Sequence, residues 1–419
     1  MVRSPDQVPE ATAVGRQPAA KCYMKGTSHL GDRCSAMPRP SIVLLILLAL
    51  AGSAAAQDTK NCGAPTAIGD GWSVATPAQA GLDVGVLCGL DKFLTQWPAA
   101  NIHAVVAARH GKLALERYYN GRDERFDSGL IGQVAFKPET KHDLRSISKS
   151  VVSLLVGIAL GEGLFPPLDS PVLDALPDYA DLRTPERSRI TFRHLLTMTP
   201  GIAWDETYVP SGDAANSSLR MRVAVDPVRY VLEQPIVAPA GEVFVYSGGT
   251  TTLLAAVLVR TTGRRLDEYA REKLFGPLDI SDFEWMQLWT TREPSAAAGV
   301  RLRPRDLAKL GQLMLADGVW NGRQVLPKGW AGESMQPRIG TDGLYYFGYQ
   351  WWLGRTFVRG HSYQWAAGRG YGGQALYIQP DLGLVVSINS GHYSAPNSRL
   401  QRIIPPAIFN RVIMPAAKD

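Results

Sequence analysis

The chain has 419 residues, 45% apolar and 20% charged, with 41 glycines and 29 prolines. That composition is ordinary for a globular protein, long enough for a large core, and it excludes a collagen-like or disordered chain. The net charge of +6 is no nucleic-acid footprint, because six Lys/Arg against three Asp/Glu lie before residue 57 and no basic block with interleaved aromatics follows.

Residues 37–57 read Met-Pro-Arg-Pro-Ser-Ile-Val-Leu-Leu-Ile-Leu-Leu-Ala-Leu-Ala-Gly-Ser-Ala-Ala-Ala-Gln. A basic residue, a short apolar run over 42–50 and small residues at 54–56 make the pattern of a secretory signal cleaved after about Ala56. The run is too short to span a bilayer in the folded protein. Residues 1–36 show no periodicity, Met37 is the expected working start, and 1–56 form an upstream segment plus signal without structure of their own. No cysteine directly follows the run, so neither a lipid anchor nor another stable membrane anchor is expected. The mature chain is expected to be exported, periplasmic or secreted, from a bacterium. Cys22 and Cys34 fall upstream, which leaves Cys62 and Cys88. An even pair in an exported chain is a disulfide candidate, two separately buried thiols being the alternative. Neither has a metal-ligand partner at useful spacing.

Residues 102–119 read as two strands around a turn at His110-Gly111. Residues 120–143 are polar and turn-rich. The apolar stretch after Ile147 then reads as a helix buried on all sides, stopped by Gly161-Glu-Gly163. Prolines make 166–185 loop-like, and 193–201 is a short helix running into a turn. The sequence Ala203-Trp-Asp-Glu-Thr-Tyr-Val-Pro210 begins a loop that reaches 216–218. Helical patterns cover about 222–233, 249–262 and 265–274, and 305–315 is amphipathic. Strands return at 346–353, 374–379 and 382–389, and 400–413 closes as a Pro-interrupted helix. Strands at both ends with helices between predict an α/β (α+β) protein: one antiparallel sheet built from both termini, flanked by helices, with a helical subdomain inserted. The expected limits are a single domain over 57–419, its sheet part about 57–150 and 290–419 and its helical part about 151–289. No internal repeat or low-complexity tract is visible.

Within Leu144-Arg-Ser-Ile-Ser-Lys-Ser150, Ser146 and Lys149 stand three apart, on one face of a helix. A serine hydroxyl becomes a useful nucleophile when a neighbour takes its proton, and a lysine can do so if burial lowers its pKa. Alone the motif is weak, since about one such pair arises by chance in a chain this long. Two later stretches strengthen it. In Gly241-Glu-Val-Phe-Val-Tyr-Ser-Gly-Gly-Thr250 a tyrosine precedes small residues and a helix. In Gly368-Arg-Gly-Tyr-Gly-Gly-Gln374 glycines before a strand allow close backbone approach. The bland alternatives are a buried core tyrosine and a simple tight turn.

Together these stretches, in this order with His194-Leu-Leu-Thr-Met-Thr-Pro-Gly201 between them, resemble the serine β-lactamase and penicillin-binding-protein superfamily over about 102–389. They are most similar to its class C β-lactamase-like branch. The resemblance implies a β-lactamase/transpeptidase-like fold, with Ser146 as the acylated nucleophile, Lys149 as its proton partner and Tyr246 as general base and shuttle. It implies backbone N–H groups of Ser146 and Tyr371 as the oxyanion hole. Two departures matter: Gly248 stands for the asparagine of Tyr-x-Asn, and Gly368-Arg369-Gly370 occupies the place of Lys-Thr-Gly. Both point toward the esterase and 6-aminohexanoate-dimer hydrolase relatives, in which Tyr208 resembles a tyrosine that closes over substrate.

Arg369, Gly370 and Trp365 are further substrate-binding candidates, with Trp204, Trp351 and Trp352 as possible cleft lining. The expected function is an exported serine hydrolase cleaving a small ester or amide, with no metal or organic cofactor and no nucleic-acid partner. Two alternatives share the fold: a β-lactamase or D-amino-acid peptidase in which Arg369 grips a carboxylate, and a non-catalytic penicillin-binding-type sensor. His194 and His361 read as structural or surface residues, and His392 as a candidate for the pocket rim. Substrate identity and oligomeric state are not legible.

Overall fold

Among the described residues nine strands form one sheet whose two halves come from opposite ends of the chain. They belong to a computed structural model that describes residues 62–341, 343–393 and 397–418, all within the unit Ala55–Asp419. The expected signal segment and its cleavage point lie outside the described residues.

In chain order the strands are β1 (Ser73–Val74), β2 (Ile102–Arg109), β3 (Lys112–Tyr118), β4 (Asn120–Arg125), β5 (Gly129–Ala135), β6 (His142–Asp143), β7 (Glu284–Trp285), β8 (Val300–Leu302), β9 (Val319–Trp320), β10 (Arg323–Gln324), β11 (Ile339–Gly340), β12 (Tyr346–Phe347), β13 (Trp352–Val358), β14 (His361–Gly370), β15 (Gln374–Gln379) and β16 (Leu384–Ser390). The large sheet runs β1-β3-β2-β16-β15-β14-β13-β12-β11. It is antiparallel except for the parallel edge pair β1 and β3. The termini meet where β16 lies against β2, Val386 opposite Ala107.

The helices are α1 (Val84–Leu87), α2 (Leu90–Thr95), α3 (Ile147–Gly161), α4 (Phe192–Leu196), α5 (Ser217–Val223), α6 (Pro227–Glu233), α7 (Gly248–Thr262), α8 (Leu266–Ala270), α9 (Pro304–Leu315), α10 (Trp330–Ser334) and α11 (Ile404–Ile408). Both faces of the sheet are covered, so its central strands read as continuous apolar runs. Val106, Ala108, Leu376, Ile378 and Val385 pack with the apolar sides of α3, α7 and α9. Their neighbours Val105, Ala107, Tyr377, Val386 and Ile388 pack with Leu87, Leu90, Ile404 and Ile408 from the two chain ends. Helix α3 is buried from Ile147 to Ala159. Its serines are satisfied outward, Ser150 and Ser153 donating to the Gln350 and Tyr349 carbonyls at 2.8 Å each.

The fold class agrees with the expectation, as does the candidate disulfide, and three local readings are corrected. The polar stretch 120–143 contains the β4–β5 hairpin; its strands lack apolar alternation because Leu130 and Ile131 stay exposed. The strand expected over 346–353 is broken between β12 and β13. There Gln350, buried and at φ +64°, turns inward, and its side-chain amide donates to the Leu195 carbonyl. The β13–β14 hairpin extends far beyond that reading. The helix expected over 222–233 is two, because Asp226 caps a new start with Pro227 in the first turn. Cys62 and Cys88 are joined by a disulfide, with Cα atoms 5.4 Å apart. Closing a loop of 26 residues contributes on the order of 3–4 kcal/mol in the chain-entropy model.

A cluster of buried imidazoles carries a prediction. His103 stacks on Phe136 at 3.9 Å, and Phe136 on His142 at 4.6 Å. Burial pushes His103 down to about 3 and His392 to about 4, and holds His142 well below the usual value. In the unfolded chain all three titrate near 6.5. Between those limits the unfolded chain binds more protons, so stability is complete above about 6.5 and falls as the pH drops toward 4. Asp123 opposes this, since burial raises it to about 6 and the folded state then holds the extra proton. It is one group against three. The stability read from urea unfolding should therefore decline by roughly 1–3 kcal/mol per pH unit below 6.5. A flat profile from pH 7 to 5 would contradict the burial of neutral imidazoles.

Candidate active site

Ser146 is the N-cap residue of α3, and the loop that delivers it is held from three sides. The Leu144 N–H donates to the Val300 carbonyl at 2.9 Å, and the Ser148 hydroxyl accepts from the Val300 N–H at 3.0 Å. Arg145, just before Ser146, sits at φ +50°, a left-handed conformation that costs a non-glycine residue about 1 kcal/mol or more. Its guanidinium is fixed between the Phe126 ring at 4.7 Å and the Tyr393 ring at 4.6 Å, which holds the strained turn. From the other side β14 ends against this loop. A side chain at Gly370 would collide with the Leu144 carbonyl, and one at Gly368 would press on Ile147 and Ser150. Glycine at both places lets the strand reach the nucleophile loop.

Lys149 lies one turn into the same helix, and its ammonium has three acceptors. Nζ is 3.1 Å from Ser146 Oγ, 3.2 Å from the Ala297 carbonyl and 3.3 Å from Glu206 Oε1. The Tyr246 ring centroid is 4.9 Å from Nζ. Burial by itself would lower the lysine, but the Glu206 carboxylate and Tyr246 outweigh it, and the pKa lies above the ordinary lysine value. This corrects the expectation that apolar surroundings leave Lys149 uncharged. The expectation failed because it did not include a carboxylate.

Glu206 is the residue that sequence reasoning missed. Its Oε2 accepts from Gly248 N–H at 2.7 Å and from Trp204 Nε1 at 2.8 Å. Gly248 opens α7, so the carboxylate also gains from the positive end of that helix. A Cβ at Gly248 would lie 3.0 Å from Oε2 and 3.1 Å from the Ala297 methyl. The site of the absent asparagine side chain is therefore filled by Glu206 reaching across from another loop. The available signal was in that pairing: a glycine where a polar side chain was expected implies that something else occupies the space.

These groups face a cavity of about 910 Å³, lined among others by Ser146, Glu206, Tyr208, Tyr246, Trp352, Arg369, Gly370, Tyr371 and Arg402. Tyr208 is 77% exposed, on a loop pinned where the Asp205 carboxylate accepts from the N–H groups of Thr207, Tyr208 and Val209. The Tyr246 ring packs on Trp352 at 5.5 Å, and the Arg369 guanidinium lies 5.7 Å from Trp352 and 5.2 Å from Tyr345. Among the described residues Arg369 and Arg402 enter no ion pair, and the N–H groups of Ser146 and Tyr371 donate to no other group.

Other expected residues lie elsewhere. Trp365 is 7% exposed, packs on Tyr377 and Phe409 and donates to Thr356, so it is a core residue and not part of the cleft. Its position on β14 turns it toward the C-terminal helices. Trp351 is core as well, whereas Trp204 and Trp352 line the cavity. His392 is fully buried and does not reach the rim. His194 caps α4 with Thr191. Among the described residues no helix is long and apolar enough to cross a membrane.

A family model described as Beta-lactamase matches residues 98–402. The 6-aminohexanoate-dimer hydrolase of Paenarthrobacter ureafaciens is 28% identical over 284 residues, 64% of this chain and 70% of that protein. Two solved structures share the fold. A Bacillus anthracis protein described as a candidate 6-aminohexanoate-dimer hydrolase has a TM-score of 0.61 at 20% identity, covering 77% of this chain and 81% of its own. EstCE1, described as a hydrolase with promiscuous acyltransferase activity, has a TM-score of 0.60 at 18% identity, covering 79% and 99%.

Proposed function

The chain belongs to the beta-lactamase family, a family of serine hydrolases, and from that membership we propose an exported enzyme that cleaves a small ester or amide through an acyl-enzyme on Ser146. The observation that carries the reading is that Ser146 and Tyr246 line one cleft, with the buried Lys149 Nζ 3.1 Å from Ser146 Oγ and 4.9 Å from the Tyr246 ring centroid. Ser146 attacks the substrate carbonyl and its proton passes to Tyr246. The oxyanion is received by the N–H groups of Ser146 and Tyr371, each donor worth roughly 3–4 kcal/mol. The leaving group takes a proton back, and water then releases the acid in a second pass. The Cys62–Cys88 disulfide supports export, since such bonds persist in oxidising compartments.

One observation favours a second reading within the same chemistry. Asp205 and Glu206, the acids of the cavity wall, are both bonded internally, which leaves Arg369 and Arg402 as its unpaired charges among the described residues. A substrate bearing a carboxylate, a β-lactam or a D-amino-acid peptide included, would meet that charge.

Both readings meet in one experiment. A fluorophosphonate probe should label the folded protein on Ser146, and Ser146→Ala should abolish labelling. Turnover is then compared across short-chain esters, linear amides and nitrocefin. Ester or amide turnover without nitrocefin turnover supports the first reading, and comparable rates support the second. Labelling that survives Ser146→Ala would remove the assignment.

A further inference from the structure

We propose that Ser390 and His392 are positioning residues of the oxyanion hole, holding the 370–373 turn so that Tyr371 N–H faces the Ser146 hydroxyl; this rests on the acyl-enzyme reading above. The turn joins β14 to β15. Gly372 at φ +83° and Gly373 at φ +91° are conformations that glycine adopts freely, so this turn needs an outside restraint to stay in one form.

The restraint comes from the segment after β16. The Gly372 carbonyl accepts from Ser390 Oγ at 2.7 Å and from His392 N–H at 3.0 Å, and Ser390 Oγ is also 3.0 Å from the Gly373 carbonyl. On the other side Gly372 N–H donates to Gln401 Oε1 at 2.9 Å. The direction of the chain is set by His392. Its Nε2 accepts from Asn101 N–H at 3.0 Å, so that nitrogen carries no proton. The ring proton is then on Nδ1, 3.2 Å from Ser390 Oγ, and the serine hydrogen is left for Gly372. Ser390 and His392 are fully buried, so no water replaces a lost link cheaply. Neither touches the cleft; both act through the turn.

The test uses the full chain as Ser390→Ala, His392→Phe and His392→Asn, with an ester substrate, a phenylboronic acid and the acid product. The boronic acid forms a tetrahedral adduct on a serine and so reads the oxyanion hole, whereas the product reads ground-state binding. Ser390→Ala and His392→Phe should lower kcat by about 10–100-fold with KM changed less than about threefold. Boronic acid affinity should fall by the same factor and product affinity should hold. His392→Asn, which places an N–H near Nδ1, should restore most of the rate. A purely structural role would lower the melting temperature and leave kcat and boronic acid affinity per folded molecule intact, and that result in Ser390→Ala overturns the proposal. Wild-type protein without Ser146-dependent turnover would instead overturn the reading on which it rests.

Discussion

Tyr246→Phe is expected to slow acylation of Ser146 by about 10³-fold or more, at least as severely as Lys149→Arg. The reason lies at Lys149. Its Nζ is surrounded by Ser146 Oγ, the Ala297 carbonyl and Glu206 Oε1, all within 3.3 Å, and its pKa is held above the usual value. A protonated amine cannot take the serine proton. It can only donate to Ser146 Oγ and favour negative charge on the nearby phenol oxygen. That makes Tyr246 the acceptor, with the Lys149 ammonium as the cation that offsets the charge developing between the two oxygens. Phenylalanine keeps the packing on Trp352 at 5.5 Å and removes only the oxygen. Arginine keeps the charge but brings a wider planar head into a buried site shaped for three acceptors. Labelling rates with a fluorophosphonate, measured under single-turnover conditions for both variants, decide the matter. Tyr246→Phe within tenfold of wild type would return the base role to Lys149.

The difference between that assignment and one with lysine as base shows where the sequence is readable. The apolar run after Ile147 told that α3 is central and buried, because a helix apolar on all faces has nowhere else to go. The paired strands around His110-Gly111 and the glycines of 368–374 were legible for similarly local reasons: turn chemistry and the room a backbone needs. Glu206 was not legible. It lies 57 positions after Lys149 on an irregular loop, and nothing periodic marks a loop carboxylate that folds back onto a helix N-terminus. Trp365 misled for a related reason. An aromatic near a motif is credited to the cleft, but Trp365 and Arg369, four apart on β14, share one face of the sheet. Trp365 lies where that face is covered by Phe409, and only Arg369, farther along the strand, reaches the cavity edge. The β4–β5 hairpin escaped because the inward positions of β4 are Gly121 and Asp123 instead of apolar side chains, and β5 is largely exposed, so no apolar alternation marks it.

Glu206→Gln should turn the lysine from a permanent cation into a titrating group. The amide oxygen can keep the bonds from Trp204 Nε1 and Gly248 N–H that Oε2 now accepts at 2.8 and 2.7 Å. The amide nitrogen then faces Nζ where Oε1 stands at 3.3 Å, donor against donor. With the carboxylate gone, burial becomes the dominant influence on Lys149, and its pKa falls below the ordinary 10.4. Two consequences separate the variant from wild type. Breaking a buried pair on one side costs about 3–5 kcal/mol at most, and less where the lysine can shed its proton. In wild type the raised lysine contributes stability below about 10.4 that is lost only as pH rises through its still higher folded value. In Glu206→Gln the sign reverses: the unfolded chain binds the extra proton, and stability rises with pH up to about 10.4. Activity follows the same ionisation. Between pH 6 and 9 wild-type acylation should show no inflection from Lys149. The variant, slower at pH 7 by about 10–100-fold, should gain rate with rising pH as a neutral amine becomes available to take the serine proton. Urea unfolding at pH 7 and 9 and the pH dependence of ester acylation test both. A variant with the wild-type pH profile and unchanged stability would mean that Glu206 does not hold the lysine charge, and the case for Tyr246 as base would lose its support.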